Sequence, residues 1–268
     1  MKIGFIGTGN MGSAIIKGLV TSGVVSVDKI NIYDINTEKS EELSKEYNVK
    51  VLHDEIEIVE NSDIIILSVK PDIYTPILEK IKDRIGKDKI IFTIAAGISI
   101  NYVESIIGTD RKIVRTMPNT PAQVLEGMTA AVFNKNINEN EKKVIFSLLN
   151  SFGKSIELEE NLIHAFTGIS GSLPAYVYIF MEALADGGVL EGIPRNRAYE
   201  IIAQTVKGSA QMLIQSEKHP GTLKDEVTSP GGTTIEALKV LENGNFRGTV
   251  INAVNACVKK SKKMSEKK

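Results

Sequence analysis

Two stretches of this chain carry residue types whose spacing supports binding chemistry. The first is Gly7-Thr8-Gly9-Asn10-Met11-Gly12, directly behind the β-branched run Ile3–Ile6. Glycines at this spacing free the backbone for a tight turn, for close approach to a phosphate and for packing of a following helix, whose unpaired amides face the anion. A plain packing turn would use the same residues, so context decides between the two. Asp34 supplies that context, ending the next strand-like run where an acid takes the hydroxyls of an adenine ribose. Ile6 to Gly12 together with Asp34 are therefore read as a dinucleotide site. A carboxylate at this place repels a 2′-phosphate, which leans the reading toward NADH, while the polar neighbours Asn36 and Thr37 leave NADPH open.

The second stretch is Thr228-Ser229-Pro230-Gly231-Gly232-Thr233-Thr234, ahead of Ile235, Leu238 and Leu241 at helical spacing. Proline and paired glycines end what precedes them, and Thr233 with Glu236 reads as a capping box opening a helix. Such a start presents amides and a partial positive charge to a carboxylate or phosphate, and two threonine hydroxyls add directed hydrogen bonds. An ordinary loop between helices is the competing reading of the same residues.

Two further strand ends join the dinucleotide reading: Ser68-Val69-Lys70-Pro71 and Ala95-Ala96-Gly97. Small residues and a proline-fixed turn at strand carboxyl ends let a ligand lie across the sheet edge. Lys70 is either part of that edge or a solvated loop lysine. Asn119, within Arg115-Thr116-Met117-Pro118-Asn119-Thr120-Pro121, either faces the reactive end of the cofactor or belongs to a rigid structural turn. His53, His164 and His219 are scattered and no pair has metal-ligand spacing, so no metal is expected. His219, beside Pro220, shapes a turn or transfers a proton, with the turn favoured. Ser170 and Ser172 lack a histidine partner for nucleophilic catalysis, and a helix N-cap accounts for at least one of them.

The elements that must position these residues follow from periodicity. Strand runs fall at Ile3–Ile6 and residues 29–33, 63–69, 89–94, 112–115, 129–133 and 155–158, with helices at 11–21, 38–47, 73–85, Ile100–Ile107 and 139–150. Alternating strands and helices of this kind predict a parallel sheet wound with helices, a Rossmann dinucleotide-binding domain over residues 1–160. Beyond residue 160 apolar positions recur at helical spacing, as in Val177, Phe180, Met181 and Leu184, and again in Val250, Ile251, Val254 and Val258. The fold class is α/β followed by an all-α domain over residues 161–268.

Composition narrows the partners. Thirty-two Lys and Arg balance 33 Asp and Glu, so no global field draws the chain to nucleic acid or to an anionic membrane. Cys257 is the only cysteine, which excludes an intrachain disulfide and fits a reducing cytoplasm. No export signal is visible, and the apolar runs read as strand-sized, too short to span a bilayer. The lysine-rich residues 259–268 are read as a frayed, solvated end rather than a nucleic-acid tail.

The order of motifs across both halves resembles the pyrroline-5-carboxylate reductase family. The resemblance adds Gly168-Ile169-Ser170-Gly171-Ser172-Leu173-Pro174-Ala175-Tyr176 and Glu217-Lys218-His219-Pro220-Gly221, then runs through Leu223-Lys224-Asp225 to the Ser229 loop. It covers essentially the whole chain, and residues 223–235 are its most specific part. Leu173 departs from it, standing where the family usually has glycine, which puts the local loop shape in doubt. The resemblance implies NAD(P)H-dependent reduction of 1-pyrroline-5-carboxylate to L-proline. It places the substrate on Ser229, Pro230, Gly231, Gly232, Thr233 and Thr234, with amides around Gly231 to Thr233 on the carboxylate, the Thr234 hydroxyl beside the ring nitrogen and Glu217 near the same pocket. It also implies that the helical domain builds a dimer, or an oligomer of dimers, and the apolar circumference of residues 175–190 agrees.

Overall fold

The computed structural model describes residues 1–266. The chain runs β1 (Ile3–Ile6), α1 (Asn10–Ser22), β2 (Ile30–Tyr33), α2 (Thr37–Tyr47), β3 (Lys50–Val51), α3 (Glu55–Glu60), β4 (Ile64–Leu67), α4 (Tyr74–Ile81), β5 (Ile90–Thr93) and α5 (Ile100–Ile107). Then come β6 (Lys112–Met117), β7 (Gly127–Phe133), α6 (Glu139–Leu149), β8 (Gly153–Glu157) and α7 (Ile163–Phe166). The remainder is helical: α8 (Leu173–Leu190), α9 (Arg195–Ser216), α10 (Pro220–Glu226), α11 (Thr233–Asn243) and α12 (Phe246–Ser265).

The strands form one sheet in the order β3-β2-β1-β4-β5-β6-β7-β8. From β3 to β6 all pairs are parallel. β7 then runs antiparallel to β6, correcting the expectation of a wholly parallel sheet. The short 3₁₀ link Thr120–Val124 between them leaves no room for the helical crossover a parallel pair needs. Both faces of the sheet are covered, so β4 reads Ile64, Ile65, Ile66, Leu67 without a polar break. Ile64 and Ile66 face one core with Ile3, Phe5, Ile15 and Leu19, whereas Ile65 and Leu67 face the other with Tyr74, Leu78 and Val103.

The strand order reverses between β1 and β4, the switch point where open α/β sheets bind ligands outside the strand carboxyl ends. Register brings those ends level, since Ile6 pairs with Tyr33 on one side and Leu67 on the other, and Leu67 pairs with Thr93. The residues that follow, Gly7, Asp34 and Ser68, therefore share one edge.

By internal contacts the chain groups into Met1–Ser172 with the residues from Cys257 onward, and Leu173–Ala256. The first unit holds both apolar cores. In the second, Ala185 and Ala198 are the only fully buried apolar side chains, while Tyr178, Ile179, Phe180, Leu190, Ile214 and Val240 lie exposed. The lysine-rich end is helical as far as Ser265, correcting the expectation of fraying for the described residues. Ser261 is buried there and its hydroxyl lies 2.9 Å from Nδ1 of His164. The last two of those lysines lie outside the described residues.

Candidate active site

The turn after β1 uses its glycines for different reasons. Gly7 sits at φ 96°, where a side chain strains the backbone, and a Cβ would lie 2.7 Å from the Ser68 carbonyl oxygen. Its N–H donates to the Tyr33 carbonyl at 2.8 Å, and its own carbonyl accepts the Ser68 hydroxyl. At Gly12 a Cβ would meet the Gly7 carbonyl at 2.7 Å, so the residue is required for α1 to approach the turn. Gly9 differs from both, because a Cβ there meets nothing within 4 Å. Its face is open to a ligand, at the start of a helix that has no side-chain cap. Asn10 is exposed and Met11 half-buried beside it, while Ile6 is buried in the sheet. The turn thus fits a pyrophosphate held on backbone amides.

Asp34 lies beside this turn. Its Oδ2 accepts the Thr8 N–H at 2.6 Å and the Thr8 hydroxyl at 3.0 Å, and its Oδ1 accepts the Asn36 N–H at 2.9 Å. After β4, Lys70 precedes a 3₁₀ turn with Pro71 at its start; its side chain is exposed and Val69 is half-buried. Behind them Tyr74 is fully buried, and its hydroxyl donates to the Leu67 carbonyl at 2.6 Å while accepting the Ile94 N–H. That one hydroxyl ties the ends of β4 and β5 together, and burial pushes its pKa above the ordinary phenol value. After β5, Ala95 and Gly97 are buried, and Ala96 is half-exposed. Gly97, at φ 83°, has Met264 of α12 as its nearest side-chain neighbour.

Asn119 is occupied within the chain. Its Nδ2 donates to the carbonyl and hydroxyl oxygens of Ser170, and its Oδ1 accepts the Met128 N–H at 2.9 Å. The amide therefore pins β7 to the π-helical turn Thr167–Gly171, in which the Ser172 N–H reaches the Thr167 carbonyl. Arg115 and Glu160 escaped the sequence reading. Arg115 is buried and pairs with Glu160 Oε1 at 2.7 Å, an oxygen that also accepts the Ile100 N–H at 2.9 Å. Only a strand arginine and a glutamate opening the 3₁₀ turn Glu160–Leu162, 45 residues apart, signal this pair, with no local spacing to link them.

In the second unit α9 ends at Ser216 and is capped by Glu217, whose φ of 56° is a left-handed value rare for a residue with a Cβ. His219 follows as the N-cap of α10, with Nδ1 accepting the Gly221 N–H at 3.0 Å, so it shapes the turn. Thr228 turns its hydroxyl back onto the Lys224 carbonyl at 2.7 Å. Ser229 and Pro230 are exposed, Gly231 takes φ 64°, and the Gly232 N–H bonds the Ser229 carbonyl at 3.1 Å. The N-cap of α11 is Gly232, without a side-chain cap, which corrects the Thr233–Glu236 capping box. Thr233 already has helical backbone, so its hydroxyl does not fold back on the N-terminal amides. The Thr233 and Thr234 hydroxyls make no hydrogen bond among the described residues, leaving amides and hydroxyls at one helix start.

A glycine turn and an acidic strand end at the switch point of a doubly wound sheet, followed by a helical unit, define an NAD(P)H-dependent oxidoreductase of the Rossmann type. Comparison with known proteins sharpens the class. The family described as NADP oxidoreductase, coenzyme F420-dependent, matches residues 2–97, and the pyrroline-5-carboxylate reductase dimerisation family matches residues 160–264. The chain belongs to the pyrroline-5-carboxylate reductase family. It is 43% identical over 265 residues to that reductase from Escherichia coli (strain K12), covering 99% of this chain and 98% of the relative. A crystal structure of the Plasmodium falciparum reductase with NADP bound superposes with TM-score 0.90 at 37% identity, covering 99% and 98% of the two chains. The Coxiella burnetii reductase gives TM-score 0.93 at 33% identity over 98% of each chain.

The dimerisation match overlaps the helical run Glu160–Leu190, within which a stretch of 18 residues has mean hydropathy 1.2 and lies almost wholly unburied. By length and composition this run is sufficient to cross a bilayer, correcting the expectation that the apolar runs are strand-sized. Its polar interruptions hide the length from a count of consecutive apolar residues. An apolar, uncovered helical surface is what a subunit interface buries.

Proposed function

We propose that the chain reduces 1-pyrroline-5-carboxylate to L-proline with NAD(P)H, the last step of proline biosynthesis. The observation that carries this reading is the near-full-length family relationship, joined to a dinucleotide turn and an uncapped helix start in one chain. The nicotinamide, when bound, supplies hydride to the carbon of the substrate C=N bond. On the protein side, the turn at residues 7–12 holds the pyrophosphate, with Thr8 buried behind its ligand face and its polar groups turned inward, Asp34 takes the adenine ribose, and residues 68–71 and 95–97 flank the dinucleotide. Asn119 shapes that edge by fixing Ser170 and Met128.

The amides at the start of α11 receive the substrate carboxylate, Gly231 and Thr233 directly and Gly232 once its N–H leaves the Ser229 carbonyl, because no side chain among the described residues caps that helix start. The Thr234 hydroxyl orients the ring nitrogen. Glu217 favours the protonated iminium, whose carbon is more electron-poor and accepts hydride more readily. NADH is the preferred donor, through Asp34, with NADPH accepted, as the NADP in the Plasmodium crystal supports. The helical unit joins two protomers into a homodimer, alone or within a larger oligomer of dimers, and the enzyme works in the cytoplasm.

Initial rates of NADH and NADPH oxidation with 1-pyrroline-5-carboxylate test the proposal. Turnover with saturable dependence on that substrate is expected. No turnover with either nicotinamide overturns it.

A further inference from the structure

Thr8 lies within the dinucleotide turn, yet it is only 2% exposed. Every polar group it has is engaged inside the chain. Its N–H and hydroxyl both donate to Asp34 Oδ2, at 2.6 and 3.0 Å, and its carbonyl accepts the Ser13 hydroxyl at 2.8 Å. One residue earlier, the Gly7 N–H bonds the Tyr33 carbonyl at 2.8 Å, so the turn is stitched to the end of β2 on both sides of the acid. With Asn36 N–H on Oδ1 at 2.9 Å, the carboxylate accepts three hydrogen bonds. A carboxylate offers about four lone-pair positions, so the remaining acceptor capacity lies on Oδ1. Both torsions of the Asp34 side chain are thereby restrained before any ligand arrives.

We propose that Thr8 is a positioning residue for cofactor choice: its hydroxyl holds the Asp34 carboxylate in the orientation that leaves Oδ1 for a ribose hydroxyl. The inference rests on the assignment of Asp34 to the adenine ribose given above. Buried as it is, the Thr8 hydroxyl does not reach the ligand, and its influence passes through Asp34. Pre-organisation of this kind favours the ligand that uses the oriented group, because the cost of immobilising it is met on folding. An unphosphorylated ribose gains that acceptor. A 2′-phosphate meets only repulsion, and a carboxylate free to swing away repels it less.

The test is a fluorescence titration of the full-length protein with NADH and NADPH, without substrate, giving a Kd for each. Thr8→Val keeps the side-chain shape and removes one donor to a charged group. It is expected to weaken NADH about three- to tenfold and to reduce the NADH-over-NADPH preference by about tenfold, the equivalent of about 1.4 kcal/mol. Thr8→Ser, which keeps the hydroxyl, should retain the wild-type ratio, and in an Asp34→Ser background Thr8→Val should change the ratio no further. Should Thr8→Val not fold by circular dichroism, Thr8→Ala takes its place with the same expectation. An unchanged ratio in Asp34→Ser alone would overturn the ribose assignment, and this inference with it. A shifted ratio in Asp34→Ser but not in Thr8→Val, an equal weakening of both nucleotides, or a full Thr8 effect without Asp34 would overturn the positioning role by itself.

Discussion

Replacing Thr234 by alanine separates chemistry from folding better than any other change at the helix start. Its hydroxyl makes no hydrogen bond among the described residues, and the side chain is half-exposed in the first turn of α11. Alanine is the better helix former by a few tenths of a kcal/mol, so the fold should lose nothing and even gain slightly. On the role proposed above, what is lost is a hydrogen bond to the substrate nitrogen. A hydrogen bond to a charged group contributes about 1.5–3 kcal/mol, and with each 1.36 kcal/mol worth a factor of ten, kcat/KM should fall about 10- to 150-fold. Binding of the nicotinamide, measured without substrate, should stay within about twofold. Steady-state rates over a range of 1-pyrroline-5-carboxylate at saturating NADH, with a denaturant melt of the same sample, check both halves. An unchanged kcat/KM would show the hydroxyl to be idle, and a melt shifted down by more than about 1 kcal/mol would refute the claim that it has no structural partner.

Three further outcomes follow from the geometry. Glu217→Gly should leave stability within about 1 kcal/mol, because relief of the left-handed conformation offsets the added freedom of the unfolded chain. The same variant should lower kcat/KM at least about tenfold if the carboxylate acts on the iminium, and full retention of activity would remove Glu217 from the mechanism. Tyr74→Phe deletes the hydroxyl that ties β4 to β5 and strips buried backbone groups of a partner, so a urea midpoint should drop by the equivalent of about 1–3 kcal/mol; no drop would show the tie to be redundant. Burial and the nearby positive charges of Arg115 and Lys262 hold the His164 pKa below its ordinary value, against a weaker opposing pull from Glu160. The unfolded chain then binds the extra proton first, so this stabilisation is complete above pH about 6.5 and is lost as pH falls through the depressed folded value. His164→Asn should flatten the stability slope between pH 7 and 5, and an unchanged slope would assign it to other groups.

Much of the α/β unit was legible because its signals are local. The run Ile64 to Leu67 announces a strand buried on both faces, and the glycine turn behind Ile6 announces the switch point. β3 and α3 escaped because they are two and six residues long, below what periodicity resolves. A cue for α3 did exist: Asp54 accepts the Glu57 N–H, and Glu57 reaches back to the His53 N–H, a reciprocal cap written as Asp-x-x-Glu. The Gly232 cap was misplaced by one residue because a threonine with glutamate three positions later is the stronger textual pattern, although glycine in extended backbone serves as well. Thr8, Asn119 and the Arg115–Glu160 pair show a different limit. Their partners are fixed by tertiary proximity, so sequence spacing points to the residue type but not to the group it holds.

The sparsely covered helical unit has a consequence for the protein's handling in dilute solution. A segment that encloses only Ala185 and Ala198 retains little apolar contact when separated from a second copy. Mass action then links folding of Leu173–Ala256 to association, so its melting temperature should climb with protomer concentration. On dilution the doubly wound unit, with two cores of its own, should outlast its helical companion, and activity should disappear before the β-sheet signal does.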